Sequence, residues 1–109
     1  MKQDKELLLK DLCARLPYKP QVEIIKDGTS ITDKLTTATI KYLEGGYWDV
    51  KPYLYPLSSM TEKQIAQIEF WAFMKEYHKI TDFYYENHID YRGLIEKSLA
   101  LDATNLNIY

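Results

Sequence analysis

The spacing of apolar residues changes twice along this chain, and that change constrains its fold more than any other feature. Apolar residues recur at helical spacing up to about Leu16, tend to alternate from Val22 to Tyr55, and return to helical spacing after Thr61. A helix, a run of short strands and further helices, in that order, predict an α+β fold. The 109 residues suit a single domain, 1–109.

The first helix is predicted from Lys2 to Leu16, because Pro17 cannot continue it. Asp11 is expected to point away from its apolar face. Cys13, on that face, is expected to be a buried small hydrophobe. As the only cysteine of the sequence, it forms no disulfide within the chain and favours a reducing, cytoplasmic location. The predicted apolar face consists of Leu8, Leu9, Leu12, Cys13 and Leu16.

The middle of the chain predicts a small antiparallel β-meander or a curled barrel over residues 20–56. Asp27-Gly28 is a hairpin-turn dipeptide between two strands. Prolines on either side of Tyr53–Tyr55 predict an edge or exit segment there, since proline cannot donate a ladder hydrogen bond. The predicted strands are Val22–Lys26, Thr29–Thr32, Thr37–Leu43 and Tyr47–Val50.

A second helix begins with a capping-box spacing, Thr61 at the N-cap and Gln64 three residues later. It is predicted to run to Glu86, with Thr81-Asp82 as an earlier break. Because it is apolar on two sides, we expect it between the sheet and a neighbouring helix. Its main stripe is predicted to be core, with a ligand groove as the alternative. The stripe consists of Ala66, Phe70, Phe73, Tyr77, Ile80 and Tyr84.

Asp90 is placed as the N-cap of a third helix, Tyr91 to about Leu99, in which Gly93 suggests close packing. The C-terminal helices are expected to pack on the sheet. The domain is therefore divided into a helix (1–17), a small sheet (20–56), a helical part (58–101) and a tail (102–109) that lies over the surface or frays.

Reaction chemistry is not signalled by any spacing in this chain. His78 and His88 are ten residues apart, too far for a helical metal pair, and Ser58 and Ser59 are expected to cap a helix. The sequence lacks a glycine-rich phosphate loop and a nucleophile elbow. We therefore predict no cofactor, no metal site and no catalytic residue, and an enzymatic activity has no support.

Ten tyrosines, whose rings are apolar and whose hydroxyls are polar, favour a contact surface. We predict binding residues at Tyr53, Tyr55, Tyr91 and Arg92, because aromatic and guanidinium groups dominate protein interfaces. The alternative is nucleic acid stacking on tyrosines beside Lys41, Lys51 and Arg92. It is less favoured, since the net charge is −2 and basic residues form no run.

Membrane partners are not expected, because no apolar stretch approaches the roughly 18–20 residues that a span needs. A homodimer is left open, since the apolar pattern does not show which face stays uncovered.

Three blocks resemble a family of small uncharacterised proteins of Bacteroides-type gut bacteria, often encoded in prophage or other mobile-element regions. They are LLLKDLCARLPY (7–18), KPYLYPLSSMT (51–61) and HIDYRGLIEKSLALDATNLNIY (88–109). The resembling proteins usually have glycine where Lys19 stands and often where Ser98 stands. The resemblance implies a cytoplasmic accessory protein that binds a host or phage protein, and it supplies no site residues.

Overall fold

The computed structural model describes residues 2–109 and confirms the α+β fold, with an N-terminal helix, a small sheet and C-terminal helices. In chain order the elements are α1 (Lys2–Arg15), β1 (Gln21–Lys26), β2 (Thr29–Lys34), α2 (Thr37–Glu44), β3 (Asp49–Pro56), α3 (Glu62–Phe73), α4 (Tyr77–Glu86), β4 (Ile89–Asp90) and β5 (Leu101–Asp102).

The hydrophobic core lies between α1, the sheet and the segment that precedes β5. Leu12 of α1, Val22 of β1, Leu54 of β3 and Leu94 are completely buried within it. In contrast, no residue of α3 or α4 is buried, although the structure describes both helices in full. Among residues 2–109 no helix is both long and apolar enough to cross a membrane.

Helix α1 ends as predicted before Pro17, in a 3-10 turn over Leu16–Tyr18. The prediction for Cys13 was wrong, because its side chain is exposed. The prediction that Asp11 points outward was also wrong, since Asp11 is completely buried. The inner face of the helix follows Leu8 and Leu12, and both polar and apolar side chains contribute to it.

The sheet is mixed rather than purely antiparallel, in the order β2-β1-β3-β4 with β5 also paired to β3. The predicted hairpin is confirmed: Lys26 lies opposite Thr29, and Asp27 and Gly28 both have positive φ, as the two-residue turn requires. The strands β4 and β5 run parallel to β3. They come from the C-terminal segment, which therefore crosses back to the sheet.

The strand predicted at Thr37–Leu43 is wrong, because these residues form α2. The Thr36 hydroxyl caps the helix by accepting a hydrogen bond from the Thr39 backbone N–H. Thr39 and Leu43, one turn apart, are its buried residues. Alternating threonines imitate a strand pattern here, and the cap together with contact with α1 outweighs their β propensity.

The strand predicted at Tyr47–Val50 begins only at Asp49, and it continues through the segment expected at an edge. This segment is the central strand β3, so the edge prediction was wrong. Pro52 is tolerated because the register pairs it with Val22 of β1 alone, and the parallel neighbours begin only at Tyr53 and Tyr55. Locally, Pro52 therefore has the surroundings of an edge residue.

The predicted second helix is two helices, since the chain turns between Phe73 and Tyr77. Lys75 adopts a left-handed conformation, φ 59°, which an α-helix cannot accommodate. We call α3, the turn and α4 together the arm (residues 62–86). One side of α3 contacts α4 and the other faces solvent, so the predicted burial between two elements was wrong.

The predicted third helix is absent over residues 91–100, which form turns. Gly93 has a φ of +74°, outside the helical range. Asp90 nevertheless binds backbone as a capping residue would, since its carboxylate accepts hydrogen bonds from the N–H groups of Leu94 and Ile95 at 2.8 and 2.9 Å.

Candidate functional site

The arm exposes large apolar side chains to an extent seen nowhere else on the described residues. Phe70 is 56% exposed, Phe73 83% and Tyr77 61%. Ile65 and Met74 are also exposed, at 40% and 53%. We call this surface the outer face of the arm; its residues are Ile65, Ala66, Phe70, Phe73, Met74 and Tyr77.

The helices beneath the outer face are well defined by local interactions. The predicted capping box is confirmed: the Thr61 N–H donates to Gln64 Oε1 at 2.9 Å, and the Gln64 N–H donates to Thr61 Oγ1 at 3.2 Å. On the inner side, Trp71 meets Phe83 of α4 edge to face, 6.1 Å between ring centroids. The two helices therefore cover each other's inner side only in part, and they leave the outer face exposed.

The large side chains of the outer face expose a large total area. Large side chains each present roughly 150–250 Å² when fully exposed, so five of them at these exposures expose about 600 Å². This total is at the upper end of the roughly 300–600 Å² that the largest apolar patch of a typical monomer exposes, although the exposed Glu69 lies one turn from both Ile65 and Phe73 on the same side of α3. The prediction that the stripe is core was therefore wrong for Ala66, Phe70, Phe73 and Tyr77, which are exposed, whereas Ile80 and Tyr84 are half-buried.

Two of the four predicted binding residues, Tyr91 and Arg92, lie in a network that joins α1 to the segment after β4. Arg92 Nη1 donates to Asp11 Oδ1 at 2.5 Å, and Arg15 Nε donates to Asp11 Oδ2 at 2.7 Å. The guanidinium of Arg92 stacks over the ring of Tyr91, 4.7 Å from its centroid. Arg15 and Asp11 are completely buried, so this carboxylate binds two cations in the protein interior.

Tyrosine hydroxyls complete this network at its partly exposed side. The hydroxyls of Tyr85 and Tyr91 lie 2.7 Å apart, and Arg92 Nη2 donates to the Tyr85 hydroxyl at 3.2 Å. Burial, and then the hydrogen bond to Tyr85, raise the pKa of Tyr91 well above its usual value. The Tyr91 hydroxyl therefore stays protonated at neutral pH and serves as a neutral hydrogen-bonding group.

The other two predicted residues, Tyr53 and Tyr55, are half-buried on β3 beside the last residue of the chain. The Tyr109 hydroxyl donates to the Tyr53 carbonyl at 2.6 Å and accepts from the Gln21 N–H at 2.9 Å. Its ring stacks on His88, 3.7 Å between centroids. The predicted tail thus lies over the sheet, and the hydrogen bonds and ring stacking of Tyr109 hold it in place.

The structure therefore brings Tyr91 and Arg92 together and places Tyr53 and Tyr55 in a separate cluster. Sequence reasoning missed Asp11, Arg15 and Tyr85 as members of the first cluster. The available signal was the spacing of Asp11 and Arg15, since residues four apart on a helix are neighbours and opposite charges there attract.

The three basic residues of the nucleic-acid alternative are in different surroundings. Arg92 is neutralised by Asp11, Lys41 is exposed on α2, and Lys51 lines a cleft of about 370 Å³ between α1 and β3. A different aromatic surface exists near α2: Tyr42 stacks on Trp48 at 4.2 Å, and Tyr47 beside them is 75% exposed.

The histidines and serines singled out in the sequence take no part in a common site. His78 is exposed on α4, whereas His88 is half-buried against Tyr109. Burial, and then the nearby charge of Arg15, lower the pKa of His88 to about 4. Ser59 donates to the Pro56 carbonyl at 2.6 Å, and the cap of α3 is Thr61 instead. Among the residues that the structure describes, no three histidine, cysteine or acidic side chains could hold a metal ion.

Comparisons of the chain with models of known protein families, with curated proteins and with solved structures find no match.

Proposed function

We propose that this protein is a non-enzymatic protein-interaction module, and that the outer face of the arm is its contact surface. The observation that supports this most is the exposure of Phe70, Phe73 and Tyr77 on regular helices that contribute no residue to the core. In line with the resemblance described above, we further propose a cytoplasmic accessory role and an origin in a phage or other mobile element.

The physical argument is that these side chains gain free energy only when another surface covers them. Burying one large apolar side chain is worth about 1.5–3 kcal/mol, and several together exceed the rigid-body cost of forming many complexes. Exposed charged residues share this surface: Glu62 lies one turn before Ala66, Glu69 lies one turn before Phe73, and Lys63 is exposed on the same helix. The arm has the form of an amphipathic helix that offers its apolar face to a protein surface.

Site-specific photo-crosslinking in cells tests this function. A benzoylphenylalanine replaces Phe73, which is 83% exposed, in one variant and Tyr47, an aromatic outside the arm that is 75% exposed, in the control. We expect a discrete protein adduct from position 73 and none from position 47. Equal yields at both positions, or none at either, would contradict the proposal.

A second candidate function is binding of single-stranded nucleic acid, favoured by one observation. The Tyr42–Trp48 stack, with exposed Tyr47 and with Lys26 lying 5.7 Å above the Trp48 ring, has the aromatic and cationic groups on which bases stack. This function predicts that the wild-type protein retards the electrophoretic mobility of single-stranded oligonucleotides at low salt. The Tyr47→Ser variant should not retard it. Unchanged mobility with the wild-type protein would exclude it.

A further inference from the structure

We infer that the outer face pairs with a second copy of this chain, with the two α3 helices packed antiparallel about a two-fold axis. This inference rests on the proposed function and specifies its partner. It is carried by the exposed area, by the order of small and large residues along α3, and by the charges at the two ends of the helix.

The exposed area fits a symmetric dimer. A standard interface takes about 800 Å² from each partner. The five large side chains of the outer face supply about 600 Å² of this, and the exposed charged residues of α3 supply the polar part. In a two-fold dimer the same surface covers itself, so one apolar face is sufficient for both partners.

The residue order along α3 favours one antiparallel register. Ala66 is small and exposed at the centre of the outer face, and Phe70 projects one turn further on. A two-fold axis level with the midpoint between Ala66 and Phe70 places Ala66 opposite Phe70 of the partner subunit. The same symmetry places Phe70 opposite Ala66 of the partner subunit. The ring of Phe70 then packs over a small residue on each side of the axis, which is how facing helices interdigitate.

The same register brings opposite charges together at both ends of the pair. Glu62 lies four residues before Ala66, and Met74 four residues after Phe70, about 6 Å in each case. Glu62 is therefore level with Met74 of the partner subunit and adjacent to Lys75 of the partner subunit. Both charged residues are exposed, and no salt bridge within residues 2–109 includes either of them. The antiparallel helix dipoles add to this attraction.

Sedimentation equilibrium with charge-swapped variants tests the dimer and its register. The wild-type chain is expected at twice its 12.9 kDa mass at high concentration. Glu62→Lys and Lys75→Glu each replace attraction by repulsion at two symmetric positions, so each should weaken dimerisation about tenfold. The double variant Glu62→Lys/Lys75→Glu should regain most of the wild-type affinity. The control, Lys97→Glu, makes the same charge change at an exposed position outside the arm and should have no effect.

The outcomes separate this inference from the function on which it rests. A double variant no tighter than the single ones would overturn the proposed register, whatever the effect on helix stability. A monomeric wild-type protein that still crosslinks a different protein at position 73 would overturn self-pairing and leave the interaction module standing. A monomeric protein without any adduct at position 73 would contradict both.

Discussion

Asp11 and Arg15 lie one turn apart on α1, and the carboxylate of the first is 2.7 Å from Nε of the second with neither side chain exposed. Arg92 reaches the same carboxylate from the segment after β4. Removing one partner of a buried ion pair leaves an uncompensated charge, at a cost of about 3–5 kcal/mol. We therefore expect Asp11→Ala to lower the free energy of unfolding by that amount, measured by urea denaturation.

The control for that variant is Glu6→Ala, which removes a carboxylate from an exposed position of the same helix. Its free energy of unfolding should stay within about 0.5 kcal/mol of the wild-type value. Equal effects of the two substitutions would show that the buried network does not contribute to stability.

Glycine at position 19 or 98 should stabilise the protein. Lys19 and Ser98 have φ of 48° and 61°, a left-handed conformation that strains a side chain and suits glycine. Lys19→Gly and Ser98→Gly are each expected to raise the free energy of unfolding by about 1 kcal/mol. Lys10→Gly, within α1, is the matched control and should lower it by about 1 kcal/mol. A lower free energy of unfolding in the first two variants would contradict the left-handed backbone conformation at these two positions.

Gly93 separates the turn seen in the structure from the helix predicted from the sequence. In a helix, Gly93→Ala would stabilise the protein by about 1 kcal/mol. At a φ of +74°, the added Cβ is strained instead, so we expect destabilisation by about 1 kcal/mol or more. The sign of the change in thermal or urea unfolding decides between the two.

Stability should fall as the pH decreases from about 6.5 towards 4, and His88 should contribute to the fall. Its pKa is lowered from 6.5 to about 4 by burial and by Arg15, so in this window the unfolded chain binds a proton that the folded chain does not. His88→Asn should therefore make the free energy of unfolding less pH-dependent between about pH 4 and 6.5, measured by urea denaturation. Identical pH profiles for the variant and the wild type would rule out this contribution.

Local signals in the sequence were sufficient where the interactions are local. The capping box of Thr61 and Gln64, the Asp27-Gly28 hairpin and the stop at Pro17 all involve residues within a few positions of each other. The same reasoning failed at Thr37–Leu43, because the β-branched residues there are compatible with either period. Contact with α1 and the Thr36 cap decide in favour of a helix.

The candidate site could be predicted only in part, because apolar periodicity does not distinguish a buried face from an uncovered one. The stripe through Phe70 and Phe73 was recognised, but its exposure depends on how the arm packs against the rest of the protein. Likewise, the burial of Asp11 depends on Arg92, which is 81 residues away in sequence. Neither relationship is visible in spacing along the chain.

The free energy of unfolding of Phe70→Ser/Phe73→Ser, measured under dilute, monomeric conditions, tests the central claim most directly. Serine and phenylalanine have similar helix propensities, so the variant isolates the burial of the two rings. If the outer face is a contact surface, the change should be within about 1 kcal/mol of zero, as for exposed positions. A loss of about 3–5 kcal/mol for each ring would show that these side chains belong to the core and would contradict the account.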